Sequence, residues 1–189
     1  MPLSRYFAVL LTLLLTTWAF PATAPAAVPA TAPTVVPVPL KTEYAFTATV
    51  IVAAPVVVGQ GPLGLRRFIP ITGGTVSGPL LTAKVLEGSG DWQVIRADGV
   101  ISLEARYTLE TADGVRMSVV NRGLRVASAE VTARMMRGDS VAPSEYYFRT
   151  AAEFEAPLGS KYEWLNTSLF IGVAERRSDA AIVHFYRVN

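Results

Sequence analysis

The sequence predicts an all-β protein, a single antiparallel β-barrel of about eight or more strands. Three observations carry that expectation. Turn signals recur roughly every 8–14 residues, between runs rich in Val, Ile, Tyr and Thr. The stretch from Ile101 to Thr111 alternates without a break, with Ile101, Leu103, Ala105, Tyr107 and Leu109 on one side and Ser102, Glu104, Arg106, Thr108 and Glu110 on the other. That is the two-residue period of a strand with one covered face. Asp98-Gly99 and Asp113-Gly114 stand between such runs, where a hairpin turn needs residues that accept positive φ.

Taken in order, the chain opens with Arg5 in a short basic region. An apolar or threonine run follows from Ala8 to Phe20, and Ala24-Pro25-Ala26 ends it. This is the pattern of a secretory signal peptide over residues 1–26, cleaved after Ala26. The run is short of the ~20 residues a spanning helix needs, so no stable membrane span is expected after cleavage. Residues 27–39 form an extended linker of Pro, Ala, Val and Thr. The barrel domain is expected over residues 40–189.

Within it, Tyr44 to Val58 is a β-prone run broken at Pro55. Leu63 to Pro79 packs Arg66-Arg67, two prolines and four glycines into one stretch, which excludes ordinary helix. Gly73-Gly74 and Gly78-Pro79 read there as turns or bulges that bring backbone close to something. Further strands are expected at Leu80–Leu86, Asp91–Arg96, Ile101–Thr111 and Val115–Asn121. Leu124 to Arg137 reads as another strand or a short helix. Tyr146–Thr150, Trp164–Gly172 and Ala180–Val188 complete the set.

Composition narrows the chemistry. The chain has no cysteine, which excludes a lipid-anchored cysteine, a thiol nucleophile, a disulfide framework and any thiolate metal site. Lys and Arg total 17 against 15 Asp and Glu, and the basic residues are scattered rather than gathered in a stripe. A nucleic-acid partner is therefore not expected. The single His184 cannot build a histidine metal site, and neither metal nor cofactor is expected. Gly59-Gln-Gly61-Pro-Leu-Gly64 matches the spacing of a dinucleotide loop, but no helix follows to hold a pyrophosphate.

The candidate site residues come from strand faces. Of the adjacent pair Arg66 and Arg67, only one can enter a barrel interior; inside, it would make a fork for a carboxylate or enolate. Asp91 and Gln93 share a face opposite Trp92 and Val94. Arg106 lies with Glu104 and Thr108, Arg149 shares its side with Tyr147, and Trp164, Asn166 and Ser168 share another. If these polar faces look inward, Asp91, Arg106, Arg149, Trp164 and Asn166 converge in a small-molecule pocket. If they look outward, the same residues are a solvated surface. Asn166-Thr167-Ser168 also fits a glycosylation acceptor, though within an expected strand.

Several segments resemble one known family. Pro70-Ile-Thr-Gly-Gly-Thr-Val-Ser-Gly-Pro79, Gly90-Asp-Trp-Gln93, Ala105-Arg-Tyr107, Asn121-Arg-Gly123, Tyr147-Phe-Arg-Thr150 and Tyr162-Glu-Trp-Leu-Asn166 are similar, in order, to the family catalogued as domain of unknown function 3237. The resemblance implies a compact, stand-alone β-barrel of about 150 residues and leaves the chemistry open. It favours the inward reading, because the polar residues above fall within the shared motifs. The stretch Arg125–Ser144 and the export signal depart from the pattern.

The expected function is that of an exported (periplasmic or extracellular) barrel binding a small anionic or carbonyl-bearing organic molecule. Metal-free acid–base catalysis of an isomerase, cyclase or lyase type is the enzymatic form of that expectation. Asp91 is the candidate base, and Arg106 and Arg149 are the candidate anion stabilisers. Arg67, Thr72, Gln93, Tyr107, Trp164 and Asn166 are the candidate ligand-binding residues. The alternatives are a non-catalytic ligand-binding barrel and a structural envelope barrel. The sequence leaves room for a homodimer.

Overall fold

Strand pairing in the protein is antiparallel throughout, and it closes on itself. The computed structural model describes residues 37–189. The expected signal peptide and all but the last residues of the expected linker lie outside them. Ten strands follow in chain order: β1 Thr42–Val52, β2 Val56–Gly61, β3 Gly64–Ser77, β4 Ala83–Val85, β5 Ser89–Ile95, β6 Ile101–Glu110, β7 Arg116–Val126, β8 Tyr147–Glu155, β9 Leu169–Arg176 and β10 Ala180–Val188. One helix, α1, spans Ala129–Arg137 between β7 and β8.

Around the barrel the order is β1-β10-β9-β8-β7-β6, then β4 and β5 sharing one place, then β3, which returns to β1. This makes eight staves. β1 forms the seam: Thr49 faces Ile182 of β10 on one side and Thr75 of β3 on the other. β2 stands off the ring, paired only to the first half of β3, and exposes Val56, Val57 and Val58.

Most of the glycine-rich stretch is strand, with a bulge beside Gly73-Gly74 and a bend at Gly78-Pro79 just beyond it, as expected. β3 runs from Gly64 to Ser77, and its irregularity is one register shift, where Ile51 pairs Gly73 and Val52 pairs Ile71. Thr72 is the residue left over, a β-bulge at the seam. Gly74 has φ of +141°, and a Cβ there would lie 2.1 Å from the Thr49 carbonyl oxygen. Only glycine lets the two strands approach that closely.

The Asp-Gly pairs turn the β5–β6 and β6–β7 hairpins, with φ of +81° at Gly99 and +78° at Gly114. Leu124–Arg137 divides: β7 continues to Val126, and the Ser128 hydroxyl then accepts from the Val131 N–H at 3.1 Å to start α1. Trp164–Gly172 also divides, into a 3-10 turn over Glu163–Thr167 and then β9. The side chain of Asn166 imposes the turn, donating to the Ala156 carbonyl at 2.9 Å and accepting from the Ala156 N–H at 2.7 Å.

The interior has two different ends. One is apolar: the Phe46 ring meets Phe154, Phe170 and Phe185 with centroids 5.4–5.8 Å apart, over buried Leu109, Met117 and Leu165. Such packing holds a barrel that has no disulfide. The other end is polar.

Candidate functional site

The polar end is assembled by alternation. On β5, Asp91, Gln93 and Ile95 point inward while Trp92 and Val94 point out. The register is clamped from outside by the Phe68 ring, which lies over bare Gly90 and packs on Trp92 at 4.8 Å. Arg67 of β3 sits directly across from Gln93, and Arg66 turns outward. The Arg67 guanidinium donates to Gln93 Oε1 from Nε at 2.9 Å and from NH2 at 2.6 Å. The Gln93 amide in turn donates to Asp91 Oδ2. Gln93 therefore stands between the arginine and the carboxylate, and among the described residues Asp91 has no ion pair.

Two further arginines complete the group. Arg125, near the end of β7, is 8% exposed; its guanidinium donates no hydrogen bond to any described residue and lies 6.0 Å from the Phe148 ring centroid. Arg176, at the end of β9, is tied by its own guanidinium to the Ala180 and Ser178 carbonyls at 3.0 and 3.1 Å. The Arg176 backbone N–H donates to the Tyr146 hydroxyl at 3.0 Å. Arg67, Asp91 and Arg176 are half-buried, so the group meets solvent at this end of the barrel, whereas Gln93 and Arg125 are buried.

The electrostatics follow from burial and from like charges held together. Burial, then the neighbouring Arg67 and Arg176, pull Arg125 down to about 10. Burial lowers Arg67 and Arg176 as well. Burial raises Asp91 above the ordinary carboxylate value, against the opposing pull of Gln93, Arg67 and Arg125. Three guanidiniums thus share one carboxylate that none of them grips. Four buried polar atoms nearby have no hydrogen-bond partner among the described residues: Asp91 Oδ1, Tyr107 Oη, Asn121 Oδ1 and Thr150 Oγ1.

Residues 40–188 match the family described as "Protein of unknown function (DUF3237)". The chain belongs to the DUF3237 family. A UPF0311 protein of Bradyrhizobium diazoefficiens is 40% identical over 149 residues, covering 79% of this chain and 97% of that one. Among solved structures, a conserved protein of unknown function from Rhodopseudomonas palustris is 38% identical with a TM-score of 0.77, covering 81% of this chain and 100% of its own. A beta-barrel like protein from Acinetobacter baumannii is 35% identical with a TM-score of 0.70, over 82% and 99%. A structure described as an enzyme from Penicillium herquei, 21% identical with a TM-score of 0.62, shares the fold.

In this DUF3237 barrel the candidate residues separate into two groups. Arg67, Asp91, Gln93 and Tyr107 all face the interior. The inward placement expected of Arg106, Arg149, Trp164 and Asn166 is corrected. Arg106 lies on the outer wall, paired to Glu104 at 2.7 Å, because its strand turns Ala105 and Tyr107 inward instead. Arg149 also points out, stacked on Tyr147 at 5.2 Å, because Phe148 and Thr150 take the inner face. Trp164 packs on Phe170 and under Arg187 at the apolar end. Asn166 is an exposed turn clamp rather than a strand residue. Thr72 is the exposed bulge residue, its hydroxyl 3.4 Å from the Ile51 carbonyl. His184 is a sheet residue on the outer wall, between the Thr47 hydroxyl at 2.8 Å and Glu175 at 3.3 Å.

Arg125, Arg176, Tyr146, Asn121 and Thr150 escaped the sequence reading. Their signal was present, as polar residues on strand faces that are otherwise apolar: Met117, Val119, then Asn121 and Arg125; Phe170, Gly172, Ala174, then Arg176. Among the described residues no group of three His, Cys, Asp or Glu side chains lies together, and no helix is long and apolar enough to cross a membrane. Shallow depressions of ≈ 530 and ≈ 600 Å³ lie on the outer wall, beside Leu63, Val94 and Ser102, away from Asp91.

Proposed function

We propose that the protein binds a small organic anion at the polar end of its barrel, with Asp91 as the base of a metal-free acid–base reaction of the isomerase, cyclase or lyase type. The observation that carries the reading is Arg125, a largely buried residue whose guanidinium makes no ion pair or hydrogen bond among the described residues. A buried charge is stable only when something opposite reaches it. Asp91 is shared by three arginines and is bonded to a glutamine instead, so the group retains an excess of positive charge. A carboxylate or enolate entering from solvent completes it, with Arg125 and Arg67 as donors.

Asp91 fits the base better than a mere counter-ion. A carboxylate gripped by a bidentate arginine is held low and is a poor base, whereas burial without such a grip raises it. The second reading, a structural envelope barrel, draws on the aromatic packing that fills the opposite end. Export, argued from residues 1–26, belongs to the same proposal.

Native mass spectrometry of protein purified gently from its host tests the binding and the export. The expected spectrum shows a chain starting at Ala27 and a retained mass released under denaturing conditions, anionic in negative-ion mode. The same protein with Arg125→Gln is expected to lose that mass. Retention of the same mass by the variant removes Arg125 from the site and the reading with it. A full-length chain starting at Met1 removes export.

A further inference from the structure

We infer that the molecule bound at this site is a hydroxy acid, its carboxylate held by the arginines and its hydroxyl by Tyr107 and Asn121. The inference rests on the anion reading above and adds the second functional group.

The placement comes from strand register. Asp91 lies opposite Ala105 on β6, Ala105 opposite Asn121 on β7, and Asn121 opposite Ala152 on β8. Opposed residues share a face, so these four form one row across the inner wall, with small alanines beside the polar groups. Asp91 and Asn121 are two strands apart, about 10 Å at the backbone, with only a methyl between them. Tyr107 follows Ala105 by two residues on the same inner face, and the Asp91 charge adds to burial in raising its phenol. Thr150 precedes Ala152 by two, between bare Gly123 and Gly172.

The four buried polar atoms that lack a partner lie in this row, at Asp91 and Asn121, and in the rows on either side of it, at Tyr107 and Thr150. Leaving each unpaired costs about 1–3 kcal/mol, so each takes a partner, either a buried water or a group of a bound molecule that displaces it. The chemistry of the atoms selects the group. Asp91 Oδ1, when ionised, and Asn121 Oδ1 only accept, so they require a donor; Tyr107 and Thr150 hydroxyls donate or accept. A ligand carbonyl offers no donor. A ligand ammonium is repelled by the three guanidiniums. A hydroxyl is neutral, donates to a carboxylate or amide oxygen and accepts from the phenol. With the arginines beside it, the ligand is an acid that also carries an alcohol.

The experiment is isothermal titration of the mature domain with three matched pairs of acids: lactate and propionate, malate and succinate, mandelate and phenylacetate. At least one hydroxy acid is expected to bind about tenfold or more tightly than its partner lacking the hydroxyl. Tyr107→Phe removes only a hydroxyl without a partner, so the variant is expected to fold as the wild type does. It should reduce that preference while leaving the affinity for the deoxy acid unchanged. Equal binding within every pair, with Arg125→Gln abolishing both members, overturns the hydroxyl inference and leaves the anion site standing. Absence of binding by all six acids overturns both. An unchanged preference in Tyr107→Phe removes Tyr107 from the hydroxyl contact and overturns the assignment made here.

Discussion

Asp91 is held between burial, which favours its neutral form, and the Gln93 amide with the Arg67 and Arg125 guanidiniums, which favour its charge; burial prevails and the carboxyl is raised above 3.8. A group whose folded pKa exceeds its unfolded one adds stability below the unfolded value and loses it as pH rises through the folded value. Wild-type protein should therefore lose unfolding free energy relative to Asp91→Asn as pH climbs from below 3.8 into the raised range, measured by urea titration at several pH values. The same ionisation should switch on turnover. Asp91→Asn is expected to lower kcat by about 10²–10⁴-fold while ligand affinity stays within a few-fold. Equal loss of affinity and turnover would sink the base assignment. At this scale the sequence was partly legible. Alternation placed Asp91 and Gln93 on one face and separated Arg67 from Arg66, but period 2 does not say which face is inside. Arg106 and Glu104 were on the visible polar face and proved to be an outer ion pair. The better guide was the reverse pattern, a lone polar residue such as Asn121 or Arg125 on an apolar face.

Elements were easiest to read where turn chemistry is local. Asp98-Gly99 and Asp113-Gly114 fix their hairpins by φ alone, and both stand where the sequence places them. The Pro- and Gly-rich stretch was harder, because its glycines answer to a distant strand. Gly74 is bare so that Thr49 can approach across the seam, and nothing near it in sequence records that contact. Gly59 supplies the control, with φ of +136° and nothing within 4 Å of a Cβ placed there. Gly59→Ala is expected to cost about 1–2 kcal/mol, the backbone strain alone. Gly74→Ala carries the same strain plus a backbone clash and should cost about 4 kcal/mol or more, or fail to fold. Denaturant unfolding of the two variants compares them; equal losses would mean the seam adjusts freely. The divided segment Leu124–Arg137 shows a similar limit, since Ser128 as a cap and Gly138 at φ of +86° mark α1 only once the end of β7 is known.

At the scale of the molecule, closure hides nearly every strand edge, and the aromatic end supplies the packing that an all-thiol-free chain requires. The exception is β2. It stands outside the ring with one edge unpartnered among the described strands, carrying Val56, Val57 and Val58 at 54–63% exposure. A row of free amides and carbonyls beside three β-branched side chains is a template for another copy of itself. The consequence is colloidal: crowded solutions of this protein should begin to associate at that hairpin, while the barrel behind it stays folded. Val58→Lys is expected to raise the concentration at which light scattering sets in without moving the melting temperature. Scattering unchanged by the lysine would place the sticky surface elsewhere.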